Sequence, residues 1–406
     1  MDALGSRFFE KNYRAIAITL FVVFGLLLLV STNGKISLIT SDIDLYNHYV
    51  VTRFPDFISE ASQNIESSSG RIAYFAQTGW TPSPFYSIIF LSPIWLLGSD
   101  FMLWFVGISI GCVTIIVADS LLAKHFDFLS KTSKGLILVL LPLNFNFVVD
   151  SIGVSTMSVA AFFVISAFAV QKRGIRAVLL IAAAMTRSNF VIALVALLGA
   201  SLFVPFHGRK RLLLDCVPAF LVSIVFYNLF YSTYPGGGLN YLLFASYQGL
   251  DYAVPFSGYL LGTIYGIQDS DALNFSMSVG DALQLLLRLD SLSYIFNLSI
   301  LKLSVTLGFV HEKLFQTEYG FYISKVWRTL YFALIALPGM YSAIVLSVFK
   351  RVSAFEKVLY VWAIFYLVLN SILIGDPRYL MGTYLILLVS LFRLIELLRA
   401  PEETVV

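Results

Sequence analysis

The chain reads as an all-α, polytopic transmembrane helical bundle. Three observations predict this. Of its 406 residues, 58% are hydrophobic and only 13% are charged. Mean hydropathy is +0.84, and no soluble domain hides that much apolar surface. The apolar residues also fall into long runs, and a helix that crosses the hydrocarbon core needs about 20 such residues. Aromatic residues make up 16%, with 22 Tyr and 36 Phe, which suits membrane interfaces and a packed helical interior. The net charge is +3, and no basic cluster is long enough to form a nucleic-acid footprint.

The runs place spans near 15–31, 84–98, 101–122, 135–150, 153–171, 177–204, 212–232, 329–350, 358–374 and 379–398. An eleventh helix is allowed within Ala282–Val310. Arg7, Lys11 and Arg14 precede the first run, and Ser31-Thr32-Asn33-Gly34 is a poor cleavage site. The first helix is therefore expected to be uncleaved, with its N-terminus in the cytoplasm. About ten spans put both termini there. Lys350–Lys357 and Phe206–Arg211 then fall inside, as their charge suggests. Lys124–Lys134 and Gln171–Arg176 fall outside in this count, although both are basic. The run 177–204 has two readings: one long span, or two short helices folded around Thr186-Arg187-Ser188-Asn189. The simple count takes it as one span.

Two long segments, 32–83 and 233–328, both fall outside. The first carries Leu45, Tyr49, Val50, Phe54, Phe57 and Ile58 at mixed spacings, interrupted by Pro55. It reads as one or two amphipathic helices lying on the membrane surface. The second opens on Tyr234-Pro235-Gly236-Gly237-Gly238, a clear break. It then alternates aromatic patches with Asp251, Asp269, Asp271 and Asp281. The whole of 1–406 reads as one integral-membrane domain. Cys112 and Cys216 sit in or beside apolar runs and are expected to be free buried thiols. Two Cys and four His give no metal-ligand spacing.

The chemistry-bearing residues cluster beside the spans. Asp42 and Asp44 follow the first run closely and head the first external segment. They share a side of an extended segment but stand roughly 200° apart on a helix. One carboxylate can act as a general base, and a second supplies oxygen to a metal. The alternative is that they cap a following helix, whose N-terminus favours acids. Tyr46, His48 and Arg53 thicken the patch. Arg378 and Tyr379 open the last run, and a guanidinium grips phosphate with two parallel hydrogen bonds. A snorkelling anchor is the competing role, which a cytoplasmic end would suit better. Arg187 lies within an apolar segment, where an ionisable residue is a functional candidate unless it tips a hairpin. An acid site and a phosphate-binding arginine on one face suit the transfer of a group from a lipid phosphate.

The order of these features resembles the GT-C superfamily of multi-span glycosyltransferases that use polyprenyl-phosphate-linked sugars. In that superfamily the first external loop opens on an acidic motif, Asp-x-x-x-Tyr in some branches, and Asp42-Ile43-Asp44-Leu45-Tyr46 is similar to it. Thr81-Pro82-Ser83-Pro84-Phe85-Tyr86 with Leu97-Gly98 looks like the proline-rich entry to the second span, with Ser83 where the family has a second proline. Arg378-Tyr379 resembles the pair that starts a late span. The resemblance implies Asp42 as catalytic base, Asp44 as an assisting acid and Arg378 as a ligand of the carrier phosphate. Tyr379, Arg187, His48, Arg53 and Tyr46 are the further substrate-binding candidates. No cofactor is required; the acids permit a divalent metal.

The implied partners are a polyprenyl-phosphate sugar donor, a lipid, glycan or protein acceptor, and the bilayer. The implied place is a bacterial cytoplasmic membrane with the site facing outside. Two other classes compete. A polysaccharide polymerase or ligase of the O-antigen type leans on arginine-rich external loops, but 233–328 holds only Arg288 and Arg328. A transporter of lipid-linked sugars would show repeat halves or matching broken helices.

Overall fold

A computed structural model describes residues 3–31, 86, 100–170, 172–186, 190–205, 209–230, 326–327, 330–348, 352–373 and 381–399. Among them the regular structure is entirely helical. The helices are α1 (Ala3–Ser31), α2 (Asp100–His125), α3 (Lys131–Leu140), α4 (Phe145–Ile152), α5 (Thr156–Ala169) and α6 (Arg173–Thr186). They continue with α7 (Phe190–Phe203), α8 (Arg209–Phe230), α9 (Leu337–Val348), α10 (Ala354–Leu373) and α11 (Met381–Arg399).

The count of about ten full spans is not met by these helices. Three stretches are long and apolar enough to cross a membrane: Arg7–Val30, Trp104–His125 and Met381–Arg399. A fourth is gained if Lys131–Leu143 and Phe145–Ile152, bent by 63°, are one broken span. The expected run 177–204 is two helices, α6 and α7, of 14 residues each. At 1.5 Å per residue such a helix is about 21 Å long, short of the roughly 30 Å hydrocarbon core. The expectation of one long span there is corrected. Apolar composition alone does not reveal where a run turns back.

Local chemistry sets the helix starts. Ser130 caps α3 by accepting from the Ser133 amide at 3.1 Å. Ser155 caps α5 by accepting from the amides of Met157 and Ser158. Ser353 and Glu356 form a reciprocal capping box ahead of α10. The Glu356 amide donates to Ser353 Oγ at 3.3 Å, and the Ser353 amide donates to Glu356 Oε1 at 3.1 Å.

Polar side chains tie one end of the bundle together. Arg14 of α1 donates to buried Asp119 of α2, which also accepts from Tyr13 at 3.2 Å. Thr132 donates to Glu10 at 3.0 Å, and Ser133 donates to Glu396 of α11 at 2.5 Å. One turn earlier on α11, Arg393 lies 3.6 Å from Glu356 and 3.7 Å above the Phe128 ring. Lys124 reaches the Ala169 carbonyl at 3.5 Å, and Arg176 pairs with Asp215 at 3.6 Å. The last pair shows that the chain leaving along α6 has returned to the same end by residue 215, so α6 and α7 are outward and return passes.

Lys124–Lys134 and Lys172–Arg176 therefore share an end with Arg14, which corrects the placement given by the simple count. Every Lys and Arg position among the described residues lies toward this end. Helices α1 and α2 run antiparallel, and Asp100 and Ser31 lie at the opposite end. There, Tyr331 packs edge-on against Tyr384, with centroids 5.9 Å apart. Nearer the belt, Ser390 donates to the Gly339 carbonyl at 2.7 Å. Hence α9 runs parallel to α11, while α10 runs against it.

Glycines let the helices approach closely. A Cβ on Gly107 would fall 2.3 Å from the Ile152 carbonyl oxygen, and one on Gly339 would fall 2.6 Å from that of Leu387. Small residues at such crossings are a common device of membrane helices. Trp362 anchors the other half. Its indole donates to the Ala193 carbonyl at 3.0 Å, and its ring lies against Phe168 and Tyr366. Cys112 and Cys216 are free thiols; Cys216 is buried as expected, while Cys112 is half-buried.

Candidate functional site

The residues singled out from sequence lie outside the described residues. These are Asp42, Asp44, Tyr46, His48, Arg53, Arg187, Arg378 and Tyr379. The segment 32–83 also lies outside, as does 233–328 apart from Val326 and Trp327; of the expected second span 84–98 only Tyr86 is described. What the structure gives is the position of the helix ends that flank them. Ser31 closes α1 away from Arg14. Leu373 closes α10 away from Glu356, and Met381 opens α11 away from Arg393. Thr186 closes α6 away from Arg176. Each candidate segment is thus attached to the described helices on the side facing away from the ion-pair belt.

A second set of residues lies within the described bundle, around α4. The chain there is irregular for local reasons. Pro142 sits in a 3-10 turn, Leu141–Leu143, that ends α3. Asn144 then caps α4 by accepting from the Phe147 amide at 3.2 Å. The helix is redirected by 63° at this point. All eight residues of α4 are buried, Asn146, Asp150 and Ser151 among them. At its end the Gly153 amide donates to the Val149 carbonyl at 2.9 Å, and the Ser155 amide donates to the Asp150 carbonyl at 2.8 Å. Between them Val154 adopts φ 48°. A β-branched side chain in the left-handed region is strained and persists only where its surroundings hold it.

Neighbouring aromatic residues hold it. The Tyr86 hydroxyl donates to the Val154 carbonyl, and Tyr86 is fully buried. Trp327 donates to the Leu143 carbonyl at 2.7 Å, and its ring meets Phe24 and Phe145. Tyr331 stands beside Asn144. A π turn, Phe332–Ala336, begins immediately after it, and such turns recur at functional positions. Three departures from regular helix therefore meet around one short buried helix.

Its depth follows from α1. Gly25 lies against the Ile152 side chain, eleven residues beyond Arg14. That places the turn about 16 Å along α1 from Arg14, about half the roughly 30 Å that a helix must cross to span a hydrocarbon core. In a bundle that spans a membrane, polar groups buried so far from either end are costly and are functional candidates. Asp150 is 1% exposed and Asn146 5% exposed. They are four residues apart and share a face of α4. Asn146 Oδ1, Ser151 Oγ and Trp104 Nε1 are buried without a hydrogen-bond partner among the described residues. Burial of such groups unpaired costs about 1–3 kcal/mol each.

Sequence analysis misses this cluster because it places Asp150 as the last residue of the span 135–150 and does not single it out. The signal was present in Asn144-Phe-Asn-Phe-Val-Val-Asp-Ser151, four polar residues inside an apolar run. Among the described residues no group of three or more His, Cys, Asp or Glu could hold a metal ion. No protein-family model, no curated protein and no solved structure matches the chain.

Proposed function

We propose that the protein is a membrane glycosyltransferase. In this reading it moves a sugar from a polyprenyl-phosphate carrier to a lipid, glycan or protein acceptor on the non-cytoplasmic face. The observation that supports the reading is the gathering of the described basic positions at one end. By the positive-inside tendency that end is cytoplasmic. The helix ends flanking Asp42-Ile43-Asp44 and Arg378-Tyr379 then face outward together. Asp42 takes the proton of the acceptor hydroxyl. Arg378 stabilises charge on the departing carrier phosphate. Asp44, Tyr46, His48, Arg53, Arg187 and Tyr379 complete the site, and the bacterial cytoplasmic membrane is its proposed place.

A second reading draws on the break at Asn144. Broken helices near the bilayer midplane are a feature of transporters, and one that moves lipid-linked sugars without bond cleavage shares the same layout. One assay separates the two: label transfer from radiolabelled polyprenyl-phosphate sugars to membrane lipid and glycan, by purified wild type beside Asp42→Asn. Transfer by the wild type that is lost in the variant, with carrier binding kept, supports the enzyme. Full activity of Asp42→Asn removes that residue as the base. Carrier-sugar movement across vesicles without any transfer favours the transporter.

A further inference from the structure

We infer that the outer ridge of α1 binds an anionic phospholipid, with the headgroup at Arg7 and Lys11 and an acyl chain along the turns that follow. The inference concerns the bundle in its bilayer and holds whatever reaction the protein performs.

The ridge is read from the helix itself. Residues four apart on a helix form a continuous row inclined to the axis. On α1 the row Arg7, Lys11, Ala15, Thr19, Val23 and Leu27 is exposed at every position. Its first two members are cations and its last four are uncharged. The stretch Arg7–Val30 is long and apolar enough to cross a membrane, so the uncharged part of the row faces lipid. From Ala15 to Leu27 it covers about 18 Å, a little over half of a roughly 30 Å hydrocarbon core. That is the depth of one leaflet.

The head of the row carries an excess of positive charge. Two acids lie at this corner, and both are turned to other partners. Glu10 accepts from Thr132 at 3.0 Å. Asp119 is buried and accepts from Arg14 and Tyr13. Against them stand Arg7, Lys11, Arg14 and, beside Thr132 on α3, the exposed Lys131. The Arg14 side chain remains 57% exposed although it holds Asp119, and a guanidinium carries five donors. Phe8, also exposed, sets an aromatic ring at the level of the cations, where such rings meet headgroups.

Charge and apolar surface together select the ligand. A soluble anion would use the cations and have nothing to lay along Ala15–Leu27. A protein helix would need acids confined to one end of an apolar face. An anionic phospholipid supplies a phosphodiester and an acyl chain in the order the row presents them.

The test releases full-length protein from nanodiscs of equal phosphatidylglycerol and phosphatidylcholine and weighs it with its retained lipids by native mass spectrometry. The wild type should retain phosphatidylglycerol in preference. Arg7→Gln/Lys11→Gln should lower that preference about fivefold for each cation removed, while Arg7→Lys/Lys11→Arg keeps it. Lys172→Gln/Lys210→Gln, which removes the same charge from α6 and α8, should also keep it, because those helices pack on each other. Should the Arg7/Lys11 double variant insert poorly, Lys11→Gln alone decides. The inference is overturned if the wild type shows no preference, or if the preference survives loss of both cations. Equal loss in the Lys172/Lys210 variant overturns it too, by assigning the effect to the charge of the whole end. Displacement of the lipid by glycerol phosphate would mark a site for a free anion instead. A dimer mass that disappears in Arg7→Gln/Lys11→Gln would give the row to a second copy of the chain.

Discussion

Gly107→Ala should destabilise the protein, although alanine is the better helix former. The ideal Cβ would sit 2.3 Å from the Ile152 carbonyl oxygen and 2.7 Å from that of Ser151. Ordinary carbon–oxygen contact begins near about 3.3 Å, so α2 and the end of α4 must separate by about 1 Å. The obstructing atoms are backbone, which cannot rotate away. Overpacking of this kind costs about 1–3 kcal/mol or more, against a helix-propensity gain of up to about 1 kcal/mol.

Gly174→Ala is the control. Gly174 lies on α6, with nothing within 4 Å of its added Cβ, so the propensity gain stands unopposed. Apparent melting in detergent, followed by loss of the monodisperse peak, should fall by about 2–6 °C for Gly107→Ala. It should hold or rise for Gly174→Ala. Gly107→Val should fall further than Gly107→Ala. If Gly107→Ala melts with the wild type, the close crossing of α2 over the α4 turn is wrong.

Two other predictions concern the ion-pair belt. Glu356 is 2% exposed and faces Arg393, so Glu356→Gln should lower the melting point by more than Ser353→Ala, which removes one capping hydroxyl worth about 1 kcal/mol; the opposite order would show that the pair adds nothing beyond the cap. Single cysteines at Lys11, Lys131, Lys172 and Lys210, in a background lacking Cys112 and Cys216, should all react with an impermeant maleimide from the same side of sealed membranes. A split among the four positions would refute the common end.

Much of the architecture was readable from hydropathy. The positions of α1, α2, α8, α10 and α11 follow from apolar runs, because a run of that length has few ways to be buried. The turn between α6 and α7 was not decided in the same way. Thr186-Arg187-Ser188-Asn189 marks it chemically, but 28 apolar residues satisfy one tilted span as readily as two short passes. The ion pair between Arg176 and Asp215 is the discriminating fact, and no local pattern announces which cation meets which anion across the fold. The basic loops at Lys124–Lys134 and Lys172–Arg176 did signal that the simple count was wrong. Asp150 was visible as a residue and not as a site, since its depth depends on how far Gly25 and Gly107 reach along their helices. The acidic segment at Asp42 and the Arg378-Tyr379 pair lie beyond the described residues.

The belt also has a consequence for biosynthesis. Glu396 and Arg393 belong to α11, the last of the described helices in chain order. Their partners Ser130, Ser133, Phe128 and Glu356 are synthesised earlier. The carboxylate of Glu356 therefore waits for its guanidinium until α11 is made. A chain stopped short of Arg393 would carry a buried acid without its cation.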